Sequence, residues 1–375
     1  MSTAQTVLII LSGLVGAMMA DDKALATLPI SAVVVGTLMT TVPASFLMKR
    51  VGRRAGFLVG SALGLTGMLI SALAIYIQSF WLFSFGTLVI GGNAGFAQYY
   101  RFAAADVVSA NFRPRAISLV LAGGILAAIV GPELAKATTD LMAPIPFLGA
   151  YMAIAAIPVI SATILLFLDI PLLSALDVAD PGRPMSRIAR QPAFIVAVLS
   201  GMVGYAVMSL VMTATPLAMI GCGFGVADAA MVIQWHVLAM FAPSFVTGNI
   251  IQRFGVLRVM LCGIALLGVC VAAALAGLEI LNFWVAMVTL GLGWNFAFVG
   301  ASTLLTETYQ PSERAKVQAT NDFFVFGSVA LASLSSGVFL HLFGWDAVQL
   351  LALPFLVAAA GAIIWLERRR RAVTS

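Results

Sequence analysis

Charged side chains are scarce in this chain: 9% of its 375 residues are Asp, Glu, Lys or Arg, and 62% are hydrophobic. Because soluble domains are about one quarter charged, this composition excludes a soluble enzyme. Three cysteines without paired spacing exclude a disulfide scaffold and a zinc or redox motif. The net charge of +5 does not indicate nucleic acid, because membrane proteins collect Lys and Arg on one face for topological reasons.

Long apolar runs are what the chain has instead. Thirty-four Gly and 15 Pro fit helices that bend and pack closely in a bilayer. The longest polar stretch, residues 171–192, predicts a linker between residues 1–170 and residues 193–375. The runs that can each cross a bilayer as a helix of about 20 residues cover approximately 5–20, 26–48, 55–78, 80–108, 115–136, 145–168, 193–219, 228–251, 256–276, 280–307, 317–340 and 346–366.

The basic residues predict the orientation of these twelve spans. Seventeen of the 20 Lys and Arg fall in the loops on one side or follow the last span. Lys and Arg accumulate on the cytoplasmic side of membrane proteins, so both termini are predicted to be cytoplasmic. That arrangement requires an even number of spans, and twelve satisfies it. The sequence contains no nucleophile–base–orienter set and no phosphate-binding glycine loop in a plausible context, so neither catalysis nor a cofactor is expected.

Two loop motifs recur at about half the chain length. Gly52 follows the second span and Gly255 follows the eighth, 203 residues later; Asp106 and Glu307 follow the fourth and tenth, 201 residues apart. This period predicts parallel six-helix repeats about an axis along the membrane normal. We expect Asp106 and Glu307 to pair with loop arginines and latch the inner gate, proton coupling being the alternative. The loop residues of these motifs are Arg50, Gly52, Arg53, Arg54, Arg253 and Gly255.

The Arg-x-Gly-Arg-Arg of residues 50–54 resembles the cytoplasmic signature of the major facilitator superfamily, and the resemblance extends over essentially the whole chain. It implies an all-α membrane protein with twelve transmembrane helices in two six-helix bundles. It also implies transport by alternating access around a central cavity. The acidic residue that usually precedes this signature is replaced by Lys49, and its repeat equivalent is Gln252.

Two pairs of candidate metal ligands lie in the seventh and eighth spans. Met208 and Met212 are four residues apart, as are His236 and Met240, so each pair shares one helix face. At 1.5 Å per residue, Met212 and His236 lie about 10 and 12 Å below the outer surface, and Met208 and Met240 about 16 and 18 Å. The two pairs thus stand at matching depths on antiparallel neighbours.

The chemistry of these four side chains favours a soft cation. Neutral thioethers select Cu(I) over hard cations, and an ionisable side chain at this depth marks a functional site by default. Two alternatives stay open: Met208 and Met212 fill gaps in the core, or His236 only hydrogen-bonds a neighbouring helix. Trp294 and Asn295 in the tenth span are weaker candidates for the lining of a cavity.

The Met-x-x-x-Met and the His-x-x-x-Met that starts 28 residues after it resemble the CcoA-like copper importers, a subgroup of the same superfamily. The resemblance implies an inner-membrane importer of copper, in the form Cu(I), for cytochrome oxidase assembly. Copper chaperones or oxidase assembly factors would be its partners beside the lipid bilayer. It also implies a copper relay at Cys222. Relatives in the same branch carry riboflavin, so an organic-solute carrier, of riboflavin or a drug, and a non-transporting copper-holding factor remain alternatives.

Overall fold

The computed structural model describes residues 11–12, 15–22, 25, 28–170 and 180–374, which form helices and no strands. Most of the predicted first span, 5–20, therefore lies outside the described residues. The helices are α1 (Leu28–Val51), α2 (Arg53–Tyr76), α3 (Phe80–Ala97), α4 (Tyr100–Asp106), α5 (Arg113–Ala122), α6 (Gly124–Thr138), α7 (Leu148–Leu166), α8 (Met185–Ile188), α9 (Pro192–Gly221), α10 (Val226–Phe241), α11 (Ser244–Phe254), α12 (Val256–Leu275), α13 (Ile280–Leu305) and α14 (Arg314–Thr374).

The helices agree with the predicted membrane spans. Within the described residues, nine stretches are long and apolar enough to cross a membrane, and α10 with α11, bent by 42°, make a tenth. At 61 residues, α14 would be roughly 90 Å long, three times the hydrocarbon core of about 30 Å. Its backbone leaves the helical region at Gly344, between the predicted eleventh and twelfth spans. The predicted all-α membrane architecture is confirmed.

Two glycines show that the loop repeat is structural. Gly52, between α1 and α2, has φ 87° and ψ 162°, and Gly255, between α11 and α12, has φ 90° and ψ 148°. Residues with a Cβ rarely adopt this region. The same backbone turn therefore joins two helices at equivalent positions of both halves, and glycine is required at each.

The tertiary contacts divide the chain into two compact units, each discontinuous in sequence. Unit 1 contains the described parts of Met1–Ala103 and Leu126–Pro181 together with Pro311–Phe323; unit 2 contains Ala104–Ile125, Gly182–Gln310 and the described part of Phe324–Ser375. The predicted six-helix bundles, residues 1–170 and 193–375, differ from these units because each half gives one segment to the other. Part of the predicted linker, 171–179, lies outside the described residues, and this domain boundary remains a prediction.

The two exchanged segments dock through equivalent contacts. In unit 1 the Ser45 hydroxyl donates a hydrogen bond of 2.9 Å to the Ala315 carbonyl. In unit 2 the equivalent of Ser45 is Gly248, where an added Cβ would lie 2.5 Å from the Cα of Arg115. Ala315 and Arg115 lie within one residue of equivalence in the repeat. The contact in unit 1 thus involves the first turn of α14, which follows the Glu307 loop. The contact in unit 2 involves the first turn of α5, which follows the Asp106 loop.

Replacing Gly255 by Ala tests the backbone argument. Gly255→Ala has open space for its Cβ but a positive φ, so we expect the free energy of unfolding to fall by about 1–3 kcal/mol. Gly268→Ala, in the interior of α12 with equally open surroundings, is the matched control, and its free energy of unfolding should rise by about 0.5–1 kcal/mol. Thermal unfolding in one detergent measures both; equal midpoints for the two variants would contradict the requirement for glycine.

Candidate functional site

His236 is held in one orientation within unit 2. It lies on α10, is fully buried, and its Nδ1 is 2.8 Å from the carbonyl oxygen of Met287 on α13. Because a carbonyl only accepts, the Nδ1 of the neutral ring carries the proton and the Nε2 carries the lone pair. That Nε2 is buried and has no hydrogen-bond partner among the described residues. The predicted helix-to-helix hydrogen bond of His236 exists, and it leaves the second nitrogen for another group.

Met287 connects the two helices that carry the predicted ligands. Its sulfur accepts a hydrogen bond of 3.2 Å from the Thr215 hydroxyl of α9, while its carbonyl faces His236 of α10. Thr215 follows Met208 by seven residues and Met212 by three, which places all three on one face of α9. The face of α9 that bears the two methionines is therefore turned towards α13, and sequence reasoning missed Met287 as the connecting residue.

Two of the three predicted thioether ligands lie inside the helical packing. Met208 and Met240 are buried, and Met212 is half-buried. Gly291 of α13 lets α10 approach so closely that a Cβ there would lie 2.6 Å from the carbonyl oxygen of His236. Met208 and Met212 on α9 and His236 on α10 thus lie on helices that both bond to Met287 of α13. Among the residues described, no group of three or more His, Cys, Asp or Glu could hold a metal ion, so any such site depends on thioethers.

Asn295 holds the broken eighth span in place. The span bends at Pro243 between α10 and α11, where proline supplies no amide hydrogen. The Asn295 amide nitrogen donates to the Met240 carbonyl at 2.7 Å and to the Ser244 hydroxyl at 2.6 Å. Its oxygen accepts from Thr247 at 2.7 Å. The bend, and with it the position of Met240, is fixed by one fully buried side chain.

An aromatic cluster lies beside these residues in unit 2. The rings of Trp294 and Phe298 of α13 stack at 5.2 Å with an interplanar angle of 16°. Tyr205 of α9 meets them edge-on at 5.3 and 5.1 Å, and Phe241 and Phe326 complete the cluster at 5.7 Å from Trp294 and 5.6 Å from Tyr205. The Trp294 indole nitrogen is buried without a hydrogen-bond partner among the described residues. Unit 2 thus combines planar rings with a donor and an acceptor that are both unused.

The arginines of the predicted loop signature differ in their surroundings. Arg53 is buried and donates to Gln318 at 2.7 Å, whereas Arg54 is exposed and donates to the Leu166 carbonyl at 2.5 Å. Arg50 and Arg253 are exposed. Of these four arginines only Arg53 is buried, and a gating role for the loop signature remains a prediction.

The acidic pair of the repeat also differs from expectation. Glu307 pairs at 2.7 Å with Arg370, near the end of α14, with both side chains more than 40% exposed, and not with an arginine of the loops. Among the described residues, the partner of Glu307 thus belongs to the basic run that follows the last span, and its latch role remains a prediction. Asp106, which is half-buried, ends α4, and its role remains a prediction.

Cys222 directly follows α9 as its C-cap and is exposed. Its amide donates to the carbonyls of Ala218 and Met219, and Gly223 follows it with φ 90°. The turn accounts for the small residues here, and the thiol stays accessible. A relay of copper through Cys222 remains a prediction.

Comparison with known proteins gives one family for the whole chain. The sequence matches the Major Facilitator Superfamily over residues 2–243 and 197–375. It is similar to the riboflavin transporter RfnT of Brucella anthropi, with 42% identity over 352 residues, which cover 93% of this chain and 88% of the relative. It is also similar to YddS of Bacillus subtilis, an uncharacterized transporter of the superfamily type, with 28% identity over 95% of this chain and 86% of the relative.

Solved structures agree on the fold. The fucose:proton symporter FucP of E. coli is similar at a TM-score of 0.76 and 18% identity, over 97% of this chain and 95% of that chain. A bacterial homologue of the iron transporter ferroportin is similar at a TM-score of 0.75 and 10% identity, over 98% and 96%. At these identities the likeness concerns the fold alone.

The role of Asn295 in holding the site can be tested by an apolar substitution. Asn295→Leu leaves the Met240 carbonyl and the Ser244 and Thr247 hydroxyls without this partner, so we expect a loss of about 2 kcal/mol or more. Asn282→Leu, on the same helix but partly exposed and bonded only to the Ala273 carbonyl, should lose about 1 kcal/mol or less. Thermal unfolding of the purified variants in one detergent measures the loss of stability in each. Equal losses in the two variants would refute the specific role of Asn295.

Proposed function

This chain belongs to the major facilitator superfamily of secondary membrane transporters, and we propose that it imports riboflavin or a closely related flavin by alternating access. The similarity to a riboflavin transporter at 42% identity over 93% of the chain carries this proposal. An inner-membrane location with both termini in the cytoplasm, which is part of the proposal, is supported by the 17 of 20 basic residues on one side.

The aromatic cluster of unit 2 suits a planar heteroaromatic solute. Trp294, Tyr205 and Phe298 offer ring faces and edges, and base–aromatic stacking contributes about 1–3 kcal/mol per ring. The edge of an isoalloxazine ring carries carbonyl oxygens and an imide N–H. The His236 Nε2 can accept a hydrogen bond from the imide N–H. An apolar site with few polar groups is typical of small-molecule recognition.

Burial of these groups requires a conformational step before a solute can reach them. Trp294 is 2% exposed and His236 is fully buried. A flavin can therefore reach these two side chains only after the helices that bury them move. Such a change is expected in a transporter that exposes its site alternately to the two sides of the membrane.

Copper import is the second candidate, and the orientation of His236 favours it. A ligating imidazole commonly donates its other ring N–H to a backbone carbonyl, as Nδ1 does to Met287. Met208, Met212, His236 and Met240 would be the ligands, with Cys222 as the relay. A membrane potential of 100 mV would favour inward movement of Cu(I) by about 2.3 kcal/mol. Copper chaperones and cytochrome oxidase assembly factors would then be the partners.

Uptake into proteoliposomes that contain only this protein separates the candidates. We expect radiolabelled riboflavin to accumulate, and Trp294→Leu to lower its initial uptake rate about tenfold, since one stacking contact is lost. Trp284→Leu is the matched control, because Trp284 lies on the same helix but pairs with the half-exposed Trp235 outside the cluster. It should change the rate less than twofold.

The same vesicles test copper. Radioactive Cu(I) that accumulates in the lumen, together with its loss in Met208→Ala and Met240→Ala and no riboflavin uptake, would overturn the flavin proposal in favour of copper import. Copper that binds to the protein without luminal accumulation would instead indicate the copper-holding factor. Riboflavin uptake that is unchanged in both methionine variants would support the flavin proposal.

A further inference from the structure

A cavity of about 260 Å³ lies between α5 and α11 in unit 2. Ser118 fixes its buried wall, because the Ser118 hydroxyl donates to the Ser244 carbonyl and accepts a hydrogen bond of 3.2 Å from the Gly248 amide. Pockets for whole small molecules begin at roughly 300 Å³. The cavity is therefore held open by fixed helices, and its size suits one part of a larger ligand.

The lining of this cavity changes from polar to apolar along the helices. Arg115 and Asn249 line it near the ends of α5 and α11 that are predicted to be cytoplasmic. Leu119 and Phe245 lie four residues further along each helix, on the same faces and about 6 Å further into the membrane. Their side chains are 51% and 59% exposed. A phospholipid of the cytoplasmic leaflet has the same order, with its phosphate at the surface and its acyl chains below.

The polar end of the cavity carries a positive charge without a counterion. Within the described part of the chain, Arg115 contacts the Phe112 ring at 5.7 Å and forms no ion pair. A guanidinium is always charged and binds phosphate through paired N–H groups. Arg115 also lies in the first turn of α5, where the helix dipole attracts anions. This end of the cavity therefore fits a phosphate group.

The equivalent crevice of unit 1 is filled by protein. Beside Ser45, the described residues of unit 1 leave no room for a water molecule. Arg53 lines this crevice and donates to Gln318 at 2.7 Å. The repeat equivalents of these two residues are Val256 and Ile117, which are apolar and cannot make this bond. The cavity in unit 2 is therefore a departure from the repeat and not a consequence of the shared architecture.

The charge beside the crevice also differs between the two units. Lys316, the repeat equivalent of Arg115, donates to the Pro181 carbonyl at 2.5 Å. The cationic side chain of unit 1 is thus engaged by the protein, whereas Arg115 faces a cavity. Unit 2 combines open space with an available charge, and unit 1 has neither at this position among the described residues.

We propose that this cavity binds the headgroup of an anionic phospholipid from the cytoplasmic leaflet. Arg115 pairs with the phosphate, Asn249 donates to a phosphate or glycerol oxygen, and Leu119 with Phe245 packs against the first methylenes of an acyl chain. Basic pockets between helices on the cytoplasmic side bind anionic headgroups in membrane proteins. Free phosphate has the same charge but leaves the apolar end uncovered. The lipid site does not depend on the identity of the transported solute.

Lipid binding to the purified full-length protein in detergent tests the proposal. Native mass spectrometry measures the dissociation constants of dioleoyl phosphatidylglycerol, dioleoyl phosphatidylcholine and inorganic phosphate. We expect phosphatidylglycerol to bind most tightly, and Arg115→Gln to weaken its binding about tenfold because a charge-assisted contact is lost. Arg253→Gln is the matched control, since Arg253 of α11 is exposed and contacts the Phe254 ring outside the cavity. It should change this dissociation constant less than twofold.

The position of the bound lipid is measured by photocrosslinking. A phosphatidylglycerol analogue with a diazirine near the start of one acyl chain should label residues 112–119 or 244–249 of the parent protein. Arg115→Gln should lower this labelling, and Arg253→Gln should leave it unchanged. Crosslinks that lie only outside these two segments would overturn the proposed site.

Three results would contradict the lipid site. Equal dissociation constants of phosphatidylglycerol for the parent and for folded Arg115→Gln would overturn it, as would phosphatidylcholine or inorganic phosphate that binds as tightly as phosphatidylglycerol. If Arg115→Gln loses its thermal transition, Asn249→Leu is measured instead: binding at least about threefold weaker supports the site, and unchanged binding overturns it. Because no solute is added, failure of the lipid site leaves the flavin proposal untouched, and loss of flavin uptake in Trp294→Leu leaves the lipid site untouched.

Discussion

The need to satisfy polar groups inside an apolar protein is the constraint on which this structure depends. In a membrane-spanning chain with 9% charged residues, a buried donor or acceptor finds its partner within the protein. Asn295 meets this need completely, with partners on α10 and α11, and Arg101 meets it in part through one carboxylate oxygen of Asp322. The His236 Nε2 and Trp294 Nε1 do not meet it among the described residues. Each such atom calls for an explanation, and a bound solute would supply a partner to these two.

Both of these side chains meet α13 of unit 2: His236 bonds the Met287 carbonyl of this helix, and Trp294 is part of it. Met287 joins α9 and α10 to α13 through its sulfur and its carbonyl, and the Trp294 ring stacks two turns further along α13. An oriented acceptor, an unused donor and a set of aromatic rings therefore lie along α13, and small-molecule sites combine apolar surface with a few polar groups of this kind. The thioethers of Met208 and Met240 are also buried in unit 2, and the sequence pattern favoured a soft metal because it showed the spacing of these sulfurs and not their packing.

Much of the fold follows from the sequence, because apolar length, charge asymmetry and repeated glycines each have a direct structural cause. Gly52 and Gly255 share a backbone turn that only glycine adopts readily, so their spacing revealed the repeat. The role of Met287 could not be found in this way, since a main-chain carbonyl has no side-chain signature. The aromatic pair Trp294 and Phe298, four residues apart on one helix face, was a signal available in the sequence. The Arg101–Asp322 contact joins residues 221 apart, and their repeat equivalents are uncharged.

A cryo-EM structure of the purified protein with riboflavin is the most direct test of the central claim, that the aromatic cluster of unit 2 recognises the solute. We expect density for the isoalloxazine ring stacked on Trp294 or Tyr205, with a ring edge within hydrogen-bonding distance of the His236 Nε2. Flavin density away from α9, α10 and α13, or no flavin density at a saturating concentration, would contradict it.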